Sequence, residues 1–195
     1  LRVGDQWDNV LTREMGRAGL IAPELSRDLG GGGQSKVAAG LVTEAVARGD
    51  LTVAYLQVVG SLMGQIIARN AAPEVAAHYC SLITSGEGTV AIGLSEPSAG
   101  SDAGNPSVTA RKDGGDWIVN GTKSMSLALT STATVIFART DPDGGRGKGI
   151  SAFLVDLESP GVTRTPVTDM GQAAVARGFI DFDEVRVAAD HMLGA

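Results

Sequence analysis

The stretch Ala91-Ile92-Gly93-Leu94-Ser95-Glu96-Pro97-Ser98-Ala99-Gly100-Ser101-Asp102 decides how the rest of the chain is read. Its first residues are apolar, and the run then breaks into Pro, Gly and hydroxyl side chains, as when a strand hands over to a tight loop. Such a loop offers backbone N–H groups and the hydroxyls of Ser95, Ser98 and Ser101 to an acceptor-rich or anionic ligand. The same residues also suit an ordinary polar turn whose serines bond their own backbone. The ligand reading gains weight only from the sequence around it.

Upstream, the periodicity is helical. Residues 6–18 place Trp7, Val10, Leu11 and Met15 on one face, which predicts a helix, and Gly19–Pro23 ends it in extended form. Gly30–Gly33 lacks the Gly-Lys-Ser/Thr of a phosphate loop and reads as a flexible connector, with Ser35 capping the next helix. Lys36–Arg48 and Leu51–Asn70 follow as helices, the second apolar around most of its circumference, with Asp50 as its N-cap. Pro73–Leu82 is a further helix with proline in its first turn. His78 and Cys80 fall on different faces of it, so no metal pair is expected.

Downstream of Gly86-Glu87-Gly88 the period changes to two. Ser107–Lys112 and Asp116–Asn120 form a hairpin around Asp113-Gly114-Gly115. Thr134–Arg139, Ile150–Val155, Phe179–Phe182 and Glu184–Val187 read as further strands, and Gly147-Lys148-Gly149 as a solvent-exposed turn. Helices followed by strands give an α+β class: an all-helical domain over 1–88, then an antiparallel β-barrel or sandwich-like domain over 89–195. Without βαβ alternation or a dinucleotide glycine fingerprint, a nicotinamide-binding Rossmann enzyme is disfavoured.

Composition narrows the class of function. Hydrophobic residues at 43% are enough for a packed core. A net charge of −6 without a basic run argues against a nucleic-acid partner. The single Cys80 excludes an internal disulfide and suits a reducing compartment. No apolar stretch is read as reaching membrane-spanning length and no signal-peptide layout is present, so a cytoplasmic protein without membrane insertion is expected. Both chain ends read as cut, which suggests a fragment of something longer.

Four segments in order carry a resemblance: SEPSAGSD (Ser95–Asp102), DGGDWIVNGTK (Asp113–Lys123), GKGISAFLVD (Gly147–Asp156) and FDEVRVAADHMLG (Phe182–Gly194). Together with the earlier GLIAPELSRDLGGGG, they make the chain similar to the acyl-CoA dehydrogenases over nearly its whole length. The resemblance implies an FAD-dependent oxidoreductase of fatty acid metabolism that desaturates an acyl thioester at the α,β position. It also implies an electron-transfer carrier protein as partner and a homo- or hetero-oligomer. In most of the family the catalytic base lies in a third, helical domain, so no base is assigned here and the catalytic residue is unknown.

By resemblance, Ile92, Leu94 and Ser95 line the flavin's isoalloxazine edge, and Gly100 and Ser101 lie near flavin and CoA. The thioester is expected at Ser95, Gly100 and Ser101. Met125, Ser126 and Leu127 occupy the run where the family usually has a stacking aromatic residue and a flavin-bonding threonine. After Met170-Gly171-Gln172, the expected polar and basic residues are Ala173–Ala176. These departures leave two readings: a divergent dehydrogenase, or a non-catalytic dehydrogenase-like subunit serving as structural partner in a heteromer. On the first, restoring the groups with Met125→Trp and Leu127→Thr is expected to tighten FAD.

Overall fold

A computed structural model describes residues 2–3, 6–7, 9–170 and 173–194 of the 195-residue chain. It divides into two compact units, residues 1–90 and 91–195.

In the first unit, Arg2–Val3 (β1) and Gln6–Trp7 (β2) pair antiparallel, so the first helix (α1) runs only from Asn9 to Arg17. The helical spacing read back to residue 6 is thereby corrected. Val10 is 71% exposed while Thr12 and Met15 are buried. The Thr12 hydroxyl reaches the Gly86 carbonyl at 3.0 Å, which makes it a better inward residue than the pattern implied. Residues 19–34 are neither extended nor a loose connector. Ala22 has φ +47°, and the amides of Gly30, Gly31, Gly32 and Gly33 bond back to Arg27, Ser26, Pro23 and Leu25. A side chain on Gly31 would overlap the Leu25 carbonyl, so glycine is obligatory in that fold-back.

Three longer helices follow, Lys36–Gly49 (α2), Leu51–Asn70 (α3) and Pro73–Ser85 (α4). The Ser35 hydroxyl accepts from the Ala38 amide at 3.1 Å. The Asp50 carboxylate accepts from Thr52 at 2.7 Å and Val53 at 3.1 Å, so both expected caps are made. Contrary to the sequence reading, α3 is long and apolar enough to cross a membrane, with a mean hydropathy of 1.5 over its best window. It packs instead against α2 and α4. Its buried Gln57 bonds Thr43 of α2 and Ser61, a polar crosslink that belongs to a protein core. Val58 and Leu62 remain exposed, so burial covers less of the circumference than the pattern suggested.

The second unit is one eight-stranded sheet. Its strands are Val90–Gly93 (β3), Thr109–Asp113 (β4), Asp116–Met125 (β5), Ala133–Arg139 (β6), Ile150–Asp156 (β7), Val162–Pro166 (β8), Gly178–Val187 (β9) and Met192–Leu193 (β10). The order is β10-β7-β6-β4-β5-β9-β8, with β3 on β6. The helical-then-antiparallel plan holds, in an open sheet with β10 and β8 at its ends. The β4–β6 pairing is parallel, and the β4–β5, β5–β9, β6–β7, β8–β9 and β7–β10 pairings are antiparallel.

Two sequence features misled the strand count. The hydrophobic pattern of β9 breaks at Glu184, but the strand continues. Glu184 adopts φ +52° opposite an irregularity between Val119 and Gly121. The Asn120 side chain holds both ends of Glu184, accepting its amide at 2.9 Å and donating to its carboxylate at 2.7 Å. Strand β8 alternates polar residues on an edge and β10 is two residues long, so neither left a periodic signal. The sheet's core is apolar, with Val119, Ile136, Phe153, Leu154, Ile180 and Val185 fully buried.

Candidate ligand-binding site on the β unit

Strand β3 ends at Gly93, and Leu94 and Ser95 carry the chain out to the surface. Glu96 and Ala99 exchange amide-to-carbonyl bonds at 2.9 and 3.1 Å across Pro97 and Ser98, a tight turn with proline preset for its corner. The Ser124 amide donates to the Ser95 carbonyl at 2.9 Å, which lays this turn against the end of β5. Sequence reasoning had placed Ser95 and Ser126 on one ligand, and the bridge brings their segments together.

Beneath the turn lies a buried ion pair that the sequence did not reveal as such. Glu96 and Lys123 sit with side chains 1% and 0% exposed, Nζ to Oε1 2.7 Å. Glu96 Oε1 also accepts from the Val108 amide at 3.2 Å, and Oε2 from the Ser107 amide at 2.6 Å and the Ser107 hydroxyl. Lys123 Nζ also donates to the Leu94 carbonyl at 3.5 Å. Burial pushes the Glu96 carboxyl upward, but its bonds from Lys123, Ser107 and Val108 outweigh that and hold it below the ordinary glutamate value. Burial pushes the Lys123 ammonium down, against the opposing pull of Glu96. A carboxylate saturated by four donors is a structural anchor and cannot serve as a general base. The available signal was the Glu of Ser-Glu-Pro twenty-seven residues before the Lys of Asn-Gly-Thr-Lys, which spacing alone could not pair.

The remaining predicted residues sort into two kinds. Ile92 is half-buried, Leu94 is 42% exposed, and Ser95, Gly100 and Ser101 are exposed. No side-chain hydrogen bond engages the hydroxyls of Ser95, Ser101 or the half-buried Ser126 among the described residues. Gly100 has a backbone open to any residue and nothing within 4 Å of where a Cβ would sit. By contrast, Met125 and Leu127 are 4% and 1% exposed. Met125 Cε lies 2.9 Å from the Cβ position of Gly93, and its sulfur lies 3.5 Å from the Thr134 hydroxyl. Leu127 has φ +60° and its amide donates to the Val175 carbonyl at 2.8 Å. Val175 and Ala176 are buried as well. The apolar replacements at 125, 127 and 175–176 thus fill the unit's own core, and their side chains offer nothing to a ligand. Gly171 and Gln172 lie outside the described residues.

The loop between β6 and β7, expected as a plain exposed turn, is latched to the serine loop. Gly147 donates to the Gly104 carbonyl at 2.7 Å, Arg146 pairs with Asp102 at 2.9 Å, and Arg139 donates to Asn105 at 3.1 Å. No group of His, Cys, Asp and Glu suited to a metal occurs among the described residues. Cys80, in the helical unit, is buried against the Gly64 carbonyl, and burial pushes its thiol up to about 11, so it is inert at neutral pH.

Comparison with known proteins matches both units. Residues 3–87 match the acyl-CoA dehydrogenase N-terminal domain and residues 91–185 the acyl-CoA dehydrogenase middle domain. The human mitochondrial short-chain specific acyl-CoA dehydrogenase is 35% identical over 185 residues, 93% of this chain and 45% of that protein. FadE12 of Mycobacterium tuberculosis, an acyl-CoA dehydrogenase, is 31% identical over 95% of this chain and 48% of its own length. Among solved structures, a glutaryl-CoA dehydrogenase from Mycobacterium smegmatis in complex with FADH2 superposes with a TM-score of 0.86 at 28% identity, over 95% of this chain and 47% of that one. Butyryl-CoA dehydrogenase from Megasphaera elsdenii gives 0.88 at 26% identity, over 97% and 51%. The chain spans about half the length of these relatives. With both of its units matched in order, the chain belongs to the acyl-CoA dehydrogenase family.

Proposed function

We propose that the β unit carries the flavin- and thioester-facing wall of an FAD-dependent acyl-CoA dehydrogenase. The observation that carries this is the set of unengaged hydroxyls at Ser95 and Ser101, on a loop held from below by Lys123 and Ser124 and beside a glycine that the chain itself does not require, with that of Ser126 just beyond β5. Donors held on a fixed frame suit a ligand edge on which negative charge develops. FAD bound there supplies the hydride acceptor for α,β-desaturation. Ile92, Leu94, Ser95 and Ser126 hold its edge, and Ser95, Gly100 and Ser101 meet the acyl thioester. Met125 and Leu127 contribute shape from behind and no side-chain bond. The base for the α-proton is unassigned, and Glu96 is unsuited to the role because it is committed to Lys123, Ser107 and Val108. An acyl-CoA substrate, electron delivery to a separate carrier protein, oligomeric assembly and a cytoplasmic setting complete the proposal.

A second reading, a non-catalytic subunit in a heteromer, is favoured by one observation. The side chains at 125 and 127 are turned into the protein, where the dehydrogenase resemblance expects a stacking ring and a hydroxyl. One experiment separates the two: visible absorption of the purified full-length protein before and after a short saturated acyl-CoA. Flavin bands that bleach on addition support the dehydrogenase. A colourless protein that takes up no added FAD supports the heteromeric partner.

A further inference from the structure

We infer that Lys123 and Glu96 are positioning residues for the ligand wall, an ionic clasp that fixes Leu94–Glu96 on β5 and so sets where Ser95 points. This rests on the proposed flavin wall. Ion pairs removed from water gain little stability, and well-packed apolar residues often replace them at no loss. A pair with both side chains essentially unexposed, beside buried apolar side chains such as Ile136 and Met125, is therefore better explained by the geometry it imposes. That geometry brackets Ser95. One residue before it, the Leu94 carbonyl accepts from Lys123 Nζ; one residue after it, Glu96 is held to Lys123, Ser107 and Val108. The Ser95 carbonyl takes the Ser124 amide at 2.9 Å, next in sequence to Lys123. Every bond holding Ser95 thus runs through its backbone or its neighbours, and its hydroxyl stays available. Gly93 fits the same design: a Cβ there would lie 3.3 Å from Lys123 Cγ, so the lysine stem passes over a residue with no side chain. Lys123 and Glu96 touch no ligand; they act through Ser95.

The double variant Glu96→Gln/Lys123→Met in the full-length protein tests the clasp, because it removes both charges together and leaves no buried unpaired one. Three readouts are taken: urea midpoint, hydrogen exchange of the peptide spanning Gly93–Ser101, and FAD affinity by flavin fluorescence. The expected result is a midpoint moderately lowered, because the Gln NH2 meets the Val108 or Ser107 amide that a carboxylate oxygen accepted, with exchange in that peptide faster by on the order of tenfold and FAD bound about tenfold more weakly, the factor that corresponds to about 1.4 kcal/mol. Exchange at the wild-type rate in a folded variant overturns the inference. Faster exchange with unchanged FAD affinity overturns it too, by making the clasp a local brace without a positioning role. If the wild-type protein itself binds no FAD, the flavin reading fails and the positioning role fails with it, while exchange still decides whether the clasp holds the loop. Ser107→Ala, which removes one donor to Glu96 and leaves the ion pair intact, serves with a smaller rise of the same sign where the double variant does not fold.

Discussion

Leu127 offers a test in which conformation and burial pull in opposite directions. It is 1% exposed, and it holds φ +60° while its carbonyl receives the amides of Thr130 and Ser131. Truncation to Ala in such a site costs roughly 2–5 kcal/mol through lost burial and the cavity left behind. The left-handed backbone costs an L-residue a further 1–2 kcal/mol or so, which Leu and Ala both carry and Gly does not. Glycine's extra freedom in the unfolded chain offsets about 0.5–1 kcal/mol of that relief. Leu127→Gly should therefore be more stable than Leu127→Ala by roughly 0.5–1 kcal/mol, although it removes more side chain. At Leu154, fully buried in β7 without a positive φ, the order should reverse, because glycine in a strand interior only weakens it. Urea titration of the four variants reads this directly. With a slope of about 1–3 kcal/mol per molar for a domain of ordinary size, the midpoints at position 127 should differ by several tenths molar. The same Ala-over-Gly order at both positions would refute the left-handed assignment, and with it the account of why Leu127 points inward.

The same packing puts a stability cost on restoring an aromatic ring and a hydroxyl. Met125→Trp must enlarge a side chain already against Gly93 and Thr134, and Leu127→Thr buries a hydroxyl, so the double variant should lose stability by roughly 1–3 kcal/mol or more in urea titration before any gain in flavin affinity. In the helical unit, Gly31→Ala should be strongly destabilising because its Cβ overlaps the Leu25 carbonyl. Gly40→Ala, inside α2 with nothing within 4 Å of the added carbon, should raise the melting temperature, stabilising by up to about 1 kcal/mol; equal effects at the two sites would contradict the fold-back at residues 30–34. The amides of Val53 and Thr52 hold the Asp50 carboxyl below the ordinary aspartate value. A depressed folded value means that its stabilising contribution is present above the unfolded value and is lost as pH falls through the folded one. Asp50→Ala should therefore be less stable than wild type at pH 7, with the gap closing in acid; a gap independent of pH would show that the cap is not ionic.

Elements long enough to show a period were legible, and so were caps that act within a few residues. The ends of α3, its Asp50 cap and the Ser35 cap of α2 follow from local chemistry alone. Features fixed by partners far along the chain were not. Nothing local tells that the Asn120 side chain carries β9 past Glu184, or that a polar edge strand covers its other side. Val10 and Thr12 exchanged places for the same reason: an apolar stripe predicts burial, but the Gly86 carbonyl selects the hydroxyl. At the candidate site, the exposed serine loop was readable from its turn chemistry. The inward orientation of Met125 and Leu127 was not, because it depends on Gly93, Thr134 and Val175.

The glycines give the clearest separation of what the fold requires from what a ligand requires. Gly31 and Gly86 lie where any Cβ would strike backbone, and Gly93 and Gly121 lie where it would crowd Met125 and Val108. Each of these is explained by the protein's own packing. Gly100 shares with Gly40, Gly49 and Gly115 an unstrained backbone and open space beside it, so folding alone would accept almost any residue there. What sets it apart is its place in the chain, next to Ser101 and just past the Glu96–Ala99 turn. On the proposed function, a small residue in that place leaves room for close approach by a planar ligand over a loop that the Glu96–Lys123 pair holds from below.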